Sequence, residues 1–197
     1  HIVRWAEQDN HQGATHFRWD VFLFASRESA DRENINLSGL DAGNDFSSPD
    51  GLWFSRRGLL WIETDDHAYR DSSNCMLLAA IPGAVGDGAE REVISRDGEQ
   101  QKTIKTHVGA IATPDTLRRF LVGPVDCEIT GLAESPDGKA LFVNIQHPGE
   151  TTNEKGFDIT KPSTYLSHWP EGGDTRPRSA TIVITRDDGG LIGADIV

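Results

Sequence analysis

Apolar residues along the chain come in short runs bounded by turn residues, and the spacing inside the runs is two rather than three or four. HFRWDVFLFA (16–25) alternates and is rich in aromatics, the signature of a half-buried strand. GLWFS and LLWIETD follow, joined by Arg56, Arg57 and Gly58 in a hairpin. CMLLAAIP (75–82) is a further strand, stopped by Pro82 and Gly83. RRFLVGP (118–124), EITGLAES (128–135), ALFVNIQH (140–147) and SATIVITR (179–186) complete the series. Trp53, Trp61 and Phe142 are expected in the core. TPDTLRRFL (113–121) has room for one short helical turn, and helical periodicity is otherwise hard to find. Segments 26–47 and 148–178 are long, polar and irregular, and loops of that length inside a compact domain are usually functional or mobile.

The strand pattern repeats. With Gly51 laid on Gly131 and Gly58 on Gly138, GLWFSRRGLLWIETD lies over GLAESPDGKALFVNIQ. Each copy is a strand, a glycine-bearing turn and a longer apolar strand. The offset is about two propeller blades. The expected fold is all-β, part of a β-propeller with several four-stranded antiparallel blades in an incomplete ring. A β-sandwich is the alternative, and it would not require the repeat.

Composition narrows the function classes. The 197 residues carry a net charge of −12, which disfavours nucleic acid or an anionic membrane as partner and suits cations. Solvation of the surface accounts for the charge equally well. No apolar run reaches the roughly 20 residues that span a bilayer. The chain opens HIVRW, inside a strand by its pattern and without a methionine, so it reads as a piece or a processed product. Cys75 and Cys127 fit no zinc spacing. Buried free thiols suit them better than a disulfide, which an oxidising compartment would still permit.

Carboxylates supply the candidate chemistry. The repeat lays Asp50 on Thr130, and Thr130 shares a strand face with Glu128. In a propeller the first strand of each blade lines the central channel, so Asp50 and Glu128 would converge there as a cation site. Such a pair repels strongly unless a metal or a proton neutralises it. The competing reading for Asp50 is turn chemistry in Pro-Asp-Gly, which certainly describes Asp137. Glu128 beside Cys127 opens an apolar strand, where a solvated Glu fits poorly. His147, Asn144 and Gln146 close the next strand, and Asp65 and Asp66 end an earlier one. No nucleophile elbow, P-loop or HExxH motif is present.

SPDGLWF…GLLWIETD, FLVGPVDCEITGLAESPDGKALFVNIQHPGE and RPRSATIVITRDDGG together resemble the C-terminal part of PhoX-type alkaline phosphatases, and HIVRWAEQDNHQGATHFRWDVFLFA resembles the segment before them. The resemblance implies a large secreted or periplasmic protein, usually exported by the twin-arginine route. It implies a propeller centred on calcium and iron, and hydrolysis of small phosphomonoesters by metal-assisted phosphoryl transfer. Asp50 and Glu128 fall where the family has metal-binding acids. Asp65 and Asn144 are weaker metal candidates, and His147 is a candidate catalytic residue without a family role. Residues 1–197 are then a single domain, the C-terminal fragment of a larger propeller phosphatase. The remaining ligands and a phosphate-clamping arginine are expected upstream of His1, and the fragment alone is expected to be inactive. Its partner would be the upstream part of the same propeller, or a second copy paired through open sheet edges. A calcium-dependent propeller lactonase or esterase and a non-enzymatic propeller module are the rival readings.

Overall fold

The computed structural model describes residues 1–66 and 68–193. These carry eleven strands: β1 (Ile2–Glu7), β2 (Phe17–Leu23), β3 (Pro49–Phe54), β4 (Leu60–Thr64), β5 (Met76–Ala80), β6 (Ala89–Asp97), β7 (Gln100–Val108), β8 (Leu117–Val122), β9 (Glu128–Glu134), β10 (Ala140–Gln146) and β11 (Ala180–Thr185). Among the described residues the only helical structure is three short 3-10 segments. The expected all-β architecture is therefore present. The helical turn considered at 113–121 is a Thr113–Thr116 turn followed directly by β8.

The chain divides into two compact units, 1–47 with 81–118, and 48–80 with 119–197. In the first, the strand order is β1-β2-β7-β6, antiparallel except where Val21 of β2 meets Val108 of β7. The β6–β7 hairpin has no counterpart in the sequence reading. Its strands pair from Ala89↔Val108 to Asp97↔Gln100 and are exposed along nearly their whole length. Segment 26–47 lacks regular structure but is no surface loop. Leu37, Leu40 and Phe46 are buried, and the Asn36 side chain both donates to the Leu40 carbonyl and accepts from its N–H. Asp20, fully buried, is neutralised by Arg4 at 2.7 Å and accepts from the Gly86 N–H.

The second unit contains the repeat. β3-β4-β5-β8 form one sheet and β9-β10-β11 another, each in chain order. In the first of these, residues 81–116 are inserted between the third and fourth strands. Leu60, Ile62, Met76 and Leu78 fill the core from one sheet, Ile129, Leu141, Val143 and Ile145 from the other. Of the three aromatics expected in the core, only Trp61 is buried. Trp53 is 42% exposed although it pairs with Trp61, because it stands on the edge strand β3, whose residues are exposed on both faces. Phe142, 40% exposed, stands on the face of β10 opposite Leu141, Val143 and Ile145.

Register makes the repeat physical. β3 and β4 pair through Leu52↔Ile62 and Pro49↔Thr64 with a shift between them, and β9 and β10 pair through Ala133↔Phe142 and Thr130↔Asn144 with the same shift. One residue bulges in each case, at Gly51 and Gly131. The hairpin turns are Ser55–Leu59 and Ser135–Ala140, closed by Ser55 N–H to Leu59 and Ser135 N–H to Ala140. The second turn holds one more residue. The first strands therefore align with an offset of 80, but the second strands with 81, which lays Glu63 on Asn144 and Asp66 on His147.

Glycine is required at the second bulge for two reasons. Gly131 has φ +61°, and a Cβ there would stand 2.2 Å from Asn144 Nδ2. Gly131→Ala should cost about 2 kcal/mol in urea unfolding. Gly58→Ala, in an open turn at φ +86°, should cost about 1 kcal/mol. Equal losses would show that crowding against Asn144 contributes nothing.

Candidate active site

Asp50 is the second residue of β3, exposed at its entry. Its register partner across the bulge is Glu63, near the end of β4, which is only 4% exposed. Glu128 opens β9 and is 9% exposed. The Gly131 bulge takes Leu132 out of paired register, and the Leu132 N–H turns to the Glu63 carboxylate. That bond joins one sheet of the repeat to the next. It is opposed by burial, the largest influence on Glu63, and then by the charges of Asp50 and Glu128, so the Glu63 carboxyl is pushed up to about 7. Glu63 Oε1 is buried and has no hydrogen-bond partner among the described residues. The sequence-predicted pair thus surrounds a third acid that pattern reading missed.

Glu128 is held from β10. Its Oε2 accepts from Gln146 Nε2 at 2.6 Å, and His147 Nε2 lies 3.3 Å away. His147 has φ +35°, a left-handed conformation rare for a branched-ring residue, and its N–H donates to Ser179 Oγ at 2.9 Å. Its other ring nitrogen stands 3.8 Å from Glu150. The backbone turn directs the ring at Glu128 and away from continuing the strand. Asn144 occupies the same strand face as Gln146, two residues before it. It accepts from Thr181 Oγ1 at 2.6 Å, with its amide nitrogen packed toward the Gly131 backbone.

Asp65 goes elsewhere. Its N–H donates to the Ser48 carbonyl, and it lines a small cleft of about 30 Å³ with Asp66, Arg70, Asp126 and Glu150. Cys75 and Cys127 close that cleft, both free and buried. Burial, with the neighbouring Cys75 second, pushes the Cys127 thiol up to about 12, so it is a packing group and not a nucleophile. Among the described residues no group of three His, Cys, Asp or Glu side chains could hold a metal ion by itself. Asp50, Glu63 and Glu128 sense one another's charge but form a partial donor set. Carboxylate oxygens with one lone pair set unclaimed are hard donors, which suits calcium.

A family model described as alkaline phosphatase PhoX matches residues 1–149. The chain belongs to the PhoX alkaline phosphatase family. Among solved structures it is similar to Pseudomonas fluorescens PhoX in complex with vanadate, a transition-state analogue, with 32% identity and a TM-score of 0.67. The match covers 96% of this chain and 27% of that one, so the chain spans about a quarter of its solved relative. Comparison with curated proteins found no match. PhoX proteins are metal-dependent in general and generally exported. No helix among the described residues of this PhoX chain is long and apolar enough to cross a membrane. The acids Asp50, Glu63 and Glu128 all fall within the matched residues.

Glu63 carries a stability prediction with a definite sign. Its folded pKa stands above the ordinary 4.5. The contribution to stability is therefore complete below about pH 4.5 and lost as pH rises through about 7. In chelator-treated protein, Glu63→Gln should match wild type in acid and exceed it by about 1–3 kcal/mol near pH 8. Chemical unfolding across that pH range measures the gap, and a gap independent of pH would refute the shift.

Proposed function

We infer that this chain supplies the calcium-binding acids of an exported, metal-dependent phosphomonoesterase. The observation that carries the reading is the convergence of Asp50, Glu63 and Glu128 at the bulged ends of two repeated strand pairs, with one buried carboxylate oxygen left without a partner. Family membership supplies the reaction class. The solved relative holds vanadate, which that structure's description calls a transition-state analogue. Periplasmic or secreted location by twin-arginine export follows from the same resemblance.

When bound, calcium would neutralise charge on a phosphoryl group and fix its orientation. The residues of this chain have simpler tasks. Asp50 and Glu128 offer oxygens from two separate strands, and Glu63 offers a third from below. Gln146 and His147 hold the Glu128 carboxylate at one angle, so less side-chain freedom is lost when it ligates. Asn144, bonded to Thr181, supports the strand beside them and is a weaker candidate ligand. Asp65 belongs to the Arg70 cleft and contributes no oxygen to this group. Iron, where the full protein uses it, would be held by residues outside this chain, together with the arginine that clamps phosphate. The 197 residues would then be one domain, a C-terminal portion of a larger propeller that completes the ring, with a second copy able to pair on the open strand edges.

Two measurements test this. In the full-length protein, Asp50→Ala and Glu128→Ala should each lower hydrolysis of p-nitrophenyl phosphate at least about tenfold and reduce bound calcium. Turnover and metal content like those of wild type in both variants would remove the assignment. The 197-residue chain alone, saturated with calcium and iron, should show little or no turnover of the same ester. Robust activity would mean that the chain already contains a complete centre. Hydrolysis of lactones but not phosphate esters by the full protein would instead favour the lactonase reading.

A further inference from the structure

An open cleft of about 250 Å³ in the second unit has His147 in its lining, and Glu128, 3.3 Å from His147 Nε2, is not part of that lining. Phe157, Tyr165, Arg176, Arg178 and Ser179 line it with His147. Nothing in the metal-site reading uses it. Phe157 and Tyr165 stand with ring centroids 5.3 Å apart and planes at 31°, giving the cleft an aromatic surface. The Tyr165 hydroxyl donates to the Ile159 carbonyl at 2.9 Å, which fixes that ring.

The two arginines differ. Arg178 Nε is paired with Glu171 at 2.8 Å. Arg176 makes no ion pair or hydrogen bond with any side chain among the described residues, in a chain whose net charge is −12. Its backbone is nevertheless held on both sides. His168 Nδ1 stands 2.8 Å from the Thr175 carbonyl, the Thr175 hydroxyl donates to Gly172 at 2.7 Å, and Arg178 N–H donates to Trp169. The guanidinium is thus presented from a clamped turn and not from a loose loop, which lowers the ordering cost of binding an anion.

We propose that this cleft is the subsite for the alcohol portion of the phosphate ester, and that it selects esters whose alcohol is planar and carries a second anionic group. The proposal rests on the phosphomonoesterase reading. His147 forms the shared wall: the phosphoryl group lies on its Glu128 side, the planar group lies against Phe157 and Tyr165, and Arg176 meets the second anion. Aromatic faces and an available guanidinium recognise that combination. The cleft walls at 157–179 fall outside residues 1–149, where the family model matches, whereas the acids fall inside.

Three esters separate the contributions in the full-length protein: glycerol 3-phosphate, phenyl phosphate and 4-carboxyphenyl phosphate. Arg176→Gln should lower the ratio of kcat/KM for 4-carboxyphenyl phosphate over phenyl phosphate about tenfold, mainly through KM. Tyr165→Leu should lower the ratio of phenyl phosphate over glycerol 3-phosphate several-fold. Both ratios staying within about twofold of wild type would overturn the subsite. If the wild-type protein hydrolyses none of the three, the phosphatase reading fails. The cleft is then judged by calorimetric binding of 4-phosphonobenzoate, a probe that cannot be hydrolysed. Affinity about tenfold weaker in Arg176→Gln supports it, and equal affinity or no binding overturns it.

Discussion

Burying one carboxylate beside two others is the constraint on which the second unit depends. Glu63 is nearly inaccessible, and a lone ionised carboxylate in such a place is one of the costliest groups a fold can contain. A single backbone donor, the Leu132 N–H, offsets part of that cost. The rest is met by holding a proton, which is why the carboxyl titrates near 7 in the absence of a cation. A divalent ion at the same place would do what the proton does and more, because it would also relieve Asp50 and Glu128.

The glycine bulges make that arrangement possible. Each takes one residue out of register, so that a side chain on the adjoining strand can lie against bare backbone: Glu63 against Gly51, Asn144 against Gly131. The same device occurs twice but carries a charge only once. Aligned through the bulges, Asp50 falls on Thr130, Glu63 on Asn144 and Glu128 on Ser48. Each of these three acids thus has a neutral residue at the equivalent position of the other copy. Two fully acidic copies would place about twice as many like charges in one small volume, a repulsion that no single proton could cancel.

Much of this was legible beforehand. Strands β2 to β5 and β8 to β11 follow apolar runs within a residue or two. β8, β10 and β11 keep a period of two because one face is buried or half-buried, whereas β4 and β5 are continuous apolar runs buried on both faces. The β6–β7 hairpin was not legible. Apart from Ala89 and Val108 at its open end, Glu90, Arg91, Glu92, Arg96 and Lys102 leave only Val93, Ile94 and Ile104 as apolar positions, and a hairpin exposed on both faces over most of its length is under no pressure to alternate. Asp50 and Glu128 stood out as candidates because the repeat placed them on one face. Glu63 was missed because LLWIETD reads as a fully buried strand with a polar end. The signal was available: it shares a face with Trp61, in the middle of the sheet, and needs a reason to be there. The offset hid it too, since a constant 80 lays Glu63 on Val143. Only the extra turn residue at Lys139 restores its match with Asn144.

His147 is the point at which these separate arrangements meet. Its backbone adopts a left-handed turn that few residues tolerate, and the Ser179 hydroxyl, from just before β11, stabilises that turn. Release of the strain would swing the ring away from Glu128 and toward solvent. The residue therefore does two things through one conformation: it fixes the Glu128 carboxylate on one side and walls the cleft on the other. Strand β11 carries no acid of its own. It still bears on this end of the sheet, because the same short stretch supplies Thr181 to Asn144 within β10 and Ser179 to the N–H of His147 just after it. Were Glu128 a ligand as proposed, its oxygens would be presented rigidly through neutral side chains on the neighbouring strand, which is how a site of few oxygens gains selectivity.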